Sequence, residues 1–209
     1  MFIELVDALR CPVPHEESWL VAATGSMNAR HIVDGMLGCP VCGAEYPIRH
    51  GAVDFRRGAQ SPAPHSVPSS GDQAMRLAAL LNLVDAHGFV LLMGGWSAHA
   101  AELQSVVEVP IILVDPPVDF TGGPGLSIVR SGGVLPLAQG AARATAIDGG
   151  DAVRVASAVR STKANGRVVA PLEVGMPSGV REIARDDLLW VGECETPASP
   201  PLTLHVRRG

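Results

Sequence analysis

Short apolar runs recur through the second two thirds of the chain, separated by turn residues and by helix-like segments. The runs that predict β-strands span residues 89–93, 110–114, 126–130, 144–148, 167–172, 188–193 and 202–206. The early runs are almost continuously apolar, which is typical of parallel strands covered on both faces. Strands that alternate with helices predict a doubly wound α/β sheet, here a Rossmann-like sheet of seven strands.

Two segments between these runs carry the periodicity of amphipathic helices. The first is expected to begin near residue 74 and to end at Gly88. Its predicted apolar face consists of Leu77, Leu80, Leu81 and Val84. The second is expected to end at Asn165-Gly166. Its predicted apolar face consists of Ala152, Val155, Ala156 and Val159.

A change in composition divides the chain. The stretch AQSPAPHSVPSSG, residues 59–71, is rich in Pro and Ser and has almost no apolar periodicity, so it reads as a linker. Three of the four cysteines precede it, and the strand and helix signals follow it. We therefore expect a small β-rich N-terminal domain over residues 1–58 and an α/β domain over residues 72–209.

The composition limits the class of protein. Of the 209 residues, 47% are apolar, which fits a folded globular chain. The net charge of −5 comes without a basic block, so the sequence has no direct nucleic-acid footprint. The amino terminus lacks the pattern of a secretory signal, and the apolar runs are too short to cross a membrane. We expect a cytoplasmic protein with no membrane partner, whose reduced cysteines bind a metal rather than form a disulfide.

The N-terminal cysteines have the spacing of a zinc ribbon. Cys39 and Cys42 form a C-x-x-C pair followed by glycine, a tight turn that can present two thiolates to one tetrahedral metal ion. Upstream, Cys11 begins a second half-site in which His15 takes the place of a second cysteine. Three thiolates and one imidazole make a common structural zinc set, which leaves no position for a catalytic water.

Two alternatives to this ligand set stay open. His31 and His50 are rivals for the fourth position, although neither lies in a knuckle-like turn. Cys11 could also be a small buried apolar residue, with His15 on the surface. A domain of about 58 residues has a small core, so metal binding is expected to supply much of its folding free energy.

The segment CPVCGAEYPIRHG, Cys39 to Gly51, resembles the small zinc-binding activator subunits of tRNA and protein methyltransferases. The similarity covers roughly residues 9–55 and departs from the family at Pro14-His15 and at His50, where an aspartate is usual. Members of that family bind a methyltransferase through an exposed strand edge and an apolar surface. The resemblance implies a protein partner of that kind.

Residues 73–206 resemble class I S-adenosylmethionine-dependent methyltransferases. VLPLAQGAARATAID is similar to the family's segment before and through the fourth strand, and ASAVRSTKANGRVVAPL to the segment that leads into the fifth. The resemblance implies a sheet that ends in an antiparallel hairpin. It also implies that S-adenosylmethionine, if bound, would contact the turn after the first strand.

The residues at that turn only partly suit the cofactor. Gly94 and Gly95 can let the backbone approach a ligand at a helix N-terminus, and Asp115 lies where a carboxylate could hold the ribose hydroxyls. Trp96 stands where the loop usually has a further glycine, and its ring is expected to project into the pocket or over it. Ser131 stands where the family usually has an aspartate. We predict no catalytic residue in this domain.

Three hypotheses follow. The first is a pseudo-methyltransferase with a structural zinc ribbon, which acts as a binding or regulatory module for a methyltransferase or in a self-assembled dimer. The alternative is an active methyltransferase on a small molecule or RNA with an atypical glycine loop, since methyl transfer needs little beyond proximity and alignment. The third is that the ribbon only stabilises the sheet as a cap.

Overall fold

The fold was analysed in a computed structural model, which describes residues 1–60, 63–67, 72–117 and 120–196. The N-terminal part starts with a 3-10 helix, Ile3–Ala8, and continues into an antiparallel meander. The strands of the meander are β1 (Val21–Asn28), β2 (His31–Gly38), β3 (Glu45–Arg49) and β4 (Ala52–Asp54).

The larger part of the chain alternates strands and helices. Its strands are β5 (Val90–Met93), β6 (Ile111–Val114), β7 (Leu126–Arg130), β8 (Ala142–Ala146), β9 (Thr162–Pro171), β10 (Val180–Arg185) and β11 (Leu189–Cys194). Its helices are α1 (Gln73–Leu80), α2 (Ala100–Val106) and α3 (Ala152–Ser161), with a 3-10 helix, Gly94–His99, directly before α2.

The eleven strands of the described residues form one sheet in the order β1-β2-β3-β4-β7-β6-β5-β8-β9-β11-β10. The six strands from β4 to β9 in this order are parallel, and β11 runs antiparallel between β9 and β10. The strand order reverses between β5 and β8, which is the switch point of a doubly wound sheet. The predicted fold class, a doubly wound Rossmann-like α/β sheet with seven strands in the larger part of the chain and a β-rich N-terminal part, is confirmed by the strand order.

Alternation along the central strands explains their apolar sequences. Leu91 and Met93 of β5 pack into one hydrophobic cluster, while Val90 and Leu92 pack into a second cluster on the opposite face. The second cluster also contains buried residues of α1 and α2, such as Leu77. Each face of these strands is therefore covered, as expected for a parallel sheet.

The N-terminal meander continues the central sheet. Strand β4 pairs in parallel with β7, with Val53 opposite Val129. Leu5 and Leu9 of the N-terminal segment are fully buried in the same cluster that contains Leu91. The strand that follows the ribbon-like segment thus pairs with this chain's own sheet, and the two parts share one core.

Two predicted strands differ from the structure. The sixth strand of the larger part is β10, Val180–Arg185, which the sequence analysis missed because four of its six residues are exposed and three of these are charged. The predicted strand 188–193 is the seventh strand, β11, and its partner in the antiparallel hairpin is β10 rather than the predicted strand 202–206. The predicted strand 202–206 lies outside the described residues.

The helix predictions were partly wrong. Helix α1 ends near Leu81 rather than at Gly88, because Asn82 adopts a left-handed conformation (φ 54°) that terminates it. Val84, predicted to be buried, is 79% exposed. Asn165-Gly166 does not end α3 but lies inside β9, where Asn165 has a positive φ.

The buried face of α3 also differs from the predicted one. Val155 is buried as expected, whereas Ala152 and Ala156 are exposed. Ala158 is buried as well, and polar residues occupy the other buried positions of this helix: Arg154, Ser157 and Ser161. None of the helices in the described residues is long and apolar enough to cross a membrane.

Candidate functional site

The four predicted metal ligands come together at the end of the N-terminal meander. One ligand atom from each of Cys11, His15, Cys39 and Cys42 lies within 4.8 Å of every other. The sulfur atoms of Cys11 and Cys42 are 3.7 Å apart, and His15 Nε2 lies 3.4 Å from Cys39 Sγ. A tetrahedral zinc ion with sulfur ligands at about 2.3 Å places those sulfurs about 3.8 Å apart, so the cluster fits zinc.

The local backbone supports this arrangement. Burial raises the pKa of the Cys39 thiol, but the amides of Cys42 and Val41 hydrogen-bond to its sulfur and, with the neighbouring thiols, lower that pKa to about 6. The turn after Cys39 closes with a hydrogen bond from Gly43 N–H to the Cys39 carbonyl oxygen, and Gly43 adopts a positive φ of 69°. The knuckle therefore favours a thiolate, the form that binds metal.

The imidazole of His15 is oriented by its second nitrogen. Nδ1 lies 2.5 Å from the carbonyl oxygen of Glu16, so the proton on Nδ1 is donated there and Nε2 is free to face the cysteines. Both rival histidines lie outside the cluster. His31 is buried beside the amino group of Met1, and His50 lies in the turn between β3 and β4. Zinc in this site would be held by four protein ligands, which makes it structural.

The glycine turn, Gly94 and Gly95, lies at the carboxyl end of β5. The space beside Gly94 and the N–H of Gly95 are both taken up by another residue of the chain, Asp148. A methyl group on Gly94, which has a φ of 47°, would lie 2.0 Å from Asp148 Oδ2. The N–H of Gly95 donates to the same oxygen over 3.0 Å. Asp148 lies two residues after the end of β8, so it reaches the turn across the switch point of the sheet.

Asp115 lies at the carboxyl end of β6, and its carboxylate is fully engaged. Its Oδ2 accepts hydrogen bonds from Arg154 Nη1 at 2.6 Å and from Ser131 Oγ at 2.6 Å. Its Oδ1 accepts from the N–H of Ser131 at 2.7 Å. Asp115 is 1% exposed, so no carboxylate oxygen faces solvent for a ribose.

Arg154 links the carboxyl ends of two strands, β6 and β8. Its guanidinium pairs with Asp115 after β6 and lies 3.9 Å from Asp148 Oδ1 after β8. All three side chains are at most 5% exposed. An arginine from α3 therefore fills the space next to the glycine turn, and a buried ion network surrounds Asp115, the residue predicted to hold a ribose.

We call the space around Gly94, Gly95, Asp148 and Gly149, at the carboxyl ends of β5 and β8, the crevice. Trp96 points away from it, contrary to the prediction that its ring projects into the pocket or over it. It is fully buried in the cluster beneath α1 and α2, and its indole N–H donates to the Ile147 carbonyl oxygen at 3.0 Å. His99 is 6% exposed and packs against the Trp96 ring. The 3-10 helix after β5 turns both side chains inward.

Part of the predicted linker covers the glycine turn. The N–H of His65 donates to Asp148 Oδ2 at 2.9 Å, so this oxygen joins the linker to Gly95. Val67 packs against the cluster that contains Trp96. We call residues 63–67 the strap.

A cavity of about 680 Å³ opens beside the strap. It is lined by His65 and Ser66, by residues 148–150 after β8, by the start of α3, and by the loop after β9. Glu173 and Met176 belong to that loop. The predicted cofactor residues Gly94, Gly95 and Asp115 do not line this cavity.

The comparisons with known proteins concern the fold. No family model and no curated protein matches the chain. The tRNA (m1A58) methyltransferase of Aquifex aeolicus has a TM-score of 0.45 at 12% identity, over 66% of this chain and 73% of that one. An S-adenosylmethionine-dependent O-methyltransferase from Thermotoga maritima has a TM-score of 0.43 at 9% identity, over 65% of this chain and 69% of that one. An RNA methyltransferase from Salinibacter ruber, solved with S-adenosylhomocysteine, has a TM-score of 0.41 at 14% identity, over 67% of this chain and 100% of that one.

Proposed function

We propose that this protein is a non-catalytic, methyltransferase-like binding or regulatory module with a structural zinc ribbon. The observation that carries the proposal is the buried pair between Asp115 and Arg154. A cofactor could reach Asp115 only by displacing a guanidinium that holds the carboxylate at 2.6 Å, and the displaced charge would stay buried. Leaving a buried charge without its partner costs about 3–5 kcal/mol.

A second copy of this chain is the partner we favour. Strand β1 has β2 as its one neighbour among the described residues, and its sequence VAATGSMN carries no charge or proline. Val21 and Met27 are 63% and 43% exposed. An uncharged edge meets no like charge when it pairs with itself. Light scattering should then give twice the chain mass of 21.7 kDa, and a single-chain mass would redirect the search to an active methyltransferase.

Calorimetric titration tests the loss of the cofactor site. The zinc-loaded chain should show no heat of binding with S-adenosylmethionine or S-adenosylhomocysteine up to millimolar concentration, because the groups that would hold the ribose are engaged internally. A methyltransferase known to bind either ligand serves as the positive control. Micromolar binding of either ligand would refute the proposal.

An active methyltransferase is the second candidate, and the cavity of about 680 Å³ beside Asp148 favours it. In that case Gly94, Gly95 and Asp115 would hold S-adenosylmethionine after the strap and Arg154 had moved. Asp115→Ala should then abolish cofactor binding. Unchanged affinity in that variant would count against this arrangement.

A further inference from the structure

The glycines at the crevice fit the strap closely. A methyl group on Gly95 would lie 2.2 Å from the carbonyl oxygen of His65, and a methyl group on Gly149 would lie 2.6 Å from the His65 ring. Gly175 in the loop after β9 is a contrast, since a methyl group there would meet nothing within 4 Å. The absence of side chains at residues 95 and 149 thus leaves room for the chain's own His65.

The crevice contacts the strap as it would contact an extended peptide. The backbone N–H of His65 donates to Asp148, its carbonyl lies over Gly95, and its ring lies over Gly149. Val67 supplies an apolar side chain to the neighbouring cluster. Pro64 restricts the backbone just before His65, which lowers the conformational entropy that an extended segment loses on binding.

We propose that this crevice is a peptide-binding site, and that residues 63–67 are its resident ligand. The ligand class is a short extended segment with a proline, a free backbone N–H on the next residue, and a small apolar side chain two residues later. The proposal rests on the proposed function, because a crevice that holds S-adenosylmethionine could not hold the strap. A segment of the same chemistry from another chain would compete with the strap.

The test supplies the peptide in trans. The strap-replaced variant carries Pro64→Gly, His65→Gly and Val67→Ser, and the probe is the capped peptide Ala-Pro-His-Ser-Val. Because a tethered segment has an effective concentration of about millimolar, the free peptide is titrated to roughly 10 mM. The Gly95 and Gly149 amide signals should shift in the variant but not in the wild-type chain. The peptide N-methylated at the His nitrogen is the control and should shift neither signal, since it cannot donate to Asp148.

Two outcomes overturn the assignment. One is that the peptide leaves both glycine signals of the variant unmoved, and the other is that the N-methylated peptide moves them equally. Titration with S-adenosylhomocysteine separates the two proposals. Binding of S-adenosylhomocysteine to the wild-type chain would refute the proposed function itself. If neither S-adenosylhomocysteine nor the peptide binds, the peptide site alone is refuted.

A second pair of variants covers the case in which the strap-replaced chain does not fold. Gly95→Ala should speed hydrogen exchange of the His65 amide at least about tenfold, because the methyl group displaces the strap. Gly175→Ala should leave that rate unchanged. Equal rates in both variants and the wild-type chain would overturn the proposal.

Discussion

Removing zinc should unfold the N-terminal meander and lower the stability of the whole chain, the largest effect that we expect from a single change. Zinc supplies on the order of 10–16 kcal/mol in small zinc-finger peptides at neutral pH, whereas a whole domain is stable by about 5–15 kcal/mol. The expected result is a large drop in the thermal midpoint after chelation, measured by circular dichroism.

The effect should extend beyond the metal site because the ribbon shares its core with the sheet. Cys11 Sγ lies 3.4 Å from the hydroxyl of Tyr46, whose fully buried ring packs on Phe55 at 4.6 Å between centroids. Both rings belong to the cluster that includes Leu91 of β5. Loss of the metal would thus release residues that cover one face of the central sheet.

Elemental analysis of variants identifies the ligands. The wild-type chain should contain one zinc per chain, and Cys39→Ser or His15→Ala should lose it. Cys194→Ala is the matched control for a missing thiol, since this buried cysteine lies in β11 and is not part of the metal cluster. The substitution should cost about 1 kcal/mol with zinc retained. His50→Ala should also retain zinc. A chain that purifies without zinc and melts at the same temperature with and without chelator would contradict the prediction.

The central strands were the part of the fold that the sequence predicted best. A strand buried on both faces is apolar at every position, so β5 and β6 are visible as FVLLM and PIILV with bounds within one residue. Strand β10 was not predicted because it lies at the edge of the sheet, where exposed positions carry Arg181 and Glu182. Apolar periodicity therefore reports burial rather than strand pairing.

The metal cluster could be proposed from local spacing, whereas the closed crevice could not. The C-x-x-C pair, Cys39 and Cys42, defines a turn by itself. The pair between Asp115 and Arg154 joins residues 39 positions apart, and the contact between His65 and Asp148 joins residues 83 positions apart. Trp96 was misplaced because the 3-10 turn after β5, which directs its ring inward, leaves no sequence pattern.

Arg154→Met should destabilise the folded chain by about 3–5 kcal/mol, because it leaves two buried carboxylates without a cation. Asp115 and Asp148 are 1% and 3% exposed, so water cannot replace the guanidinium without opening the crevice. The free energy of unfolding is measured by urea denaturation at pH 7. Arg160→Met on the same helix is the matched control and should cost less than about 1 kcal/mol, since Arg160 is exposed.

The double variant Arg154→Met with Asp115→Asn separates charge from packing. Replacing one carboxylate by an amide removes a buried charge while keeping its shape, so part of the lost stability should return. A double variant no more stable than the single one would mean that Arg154 acts through the packing of its aliphatic stem. The crevice would then be closed by shape, and the electrostatic argument against cofactor binding would fail.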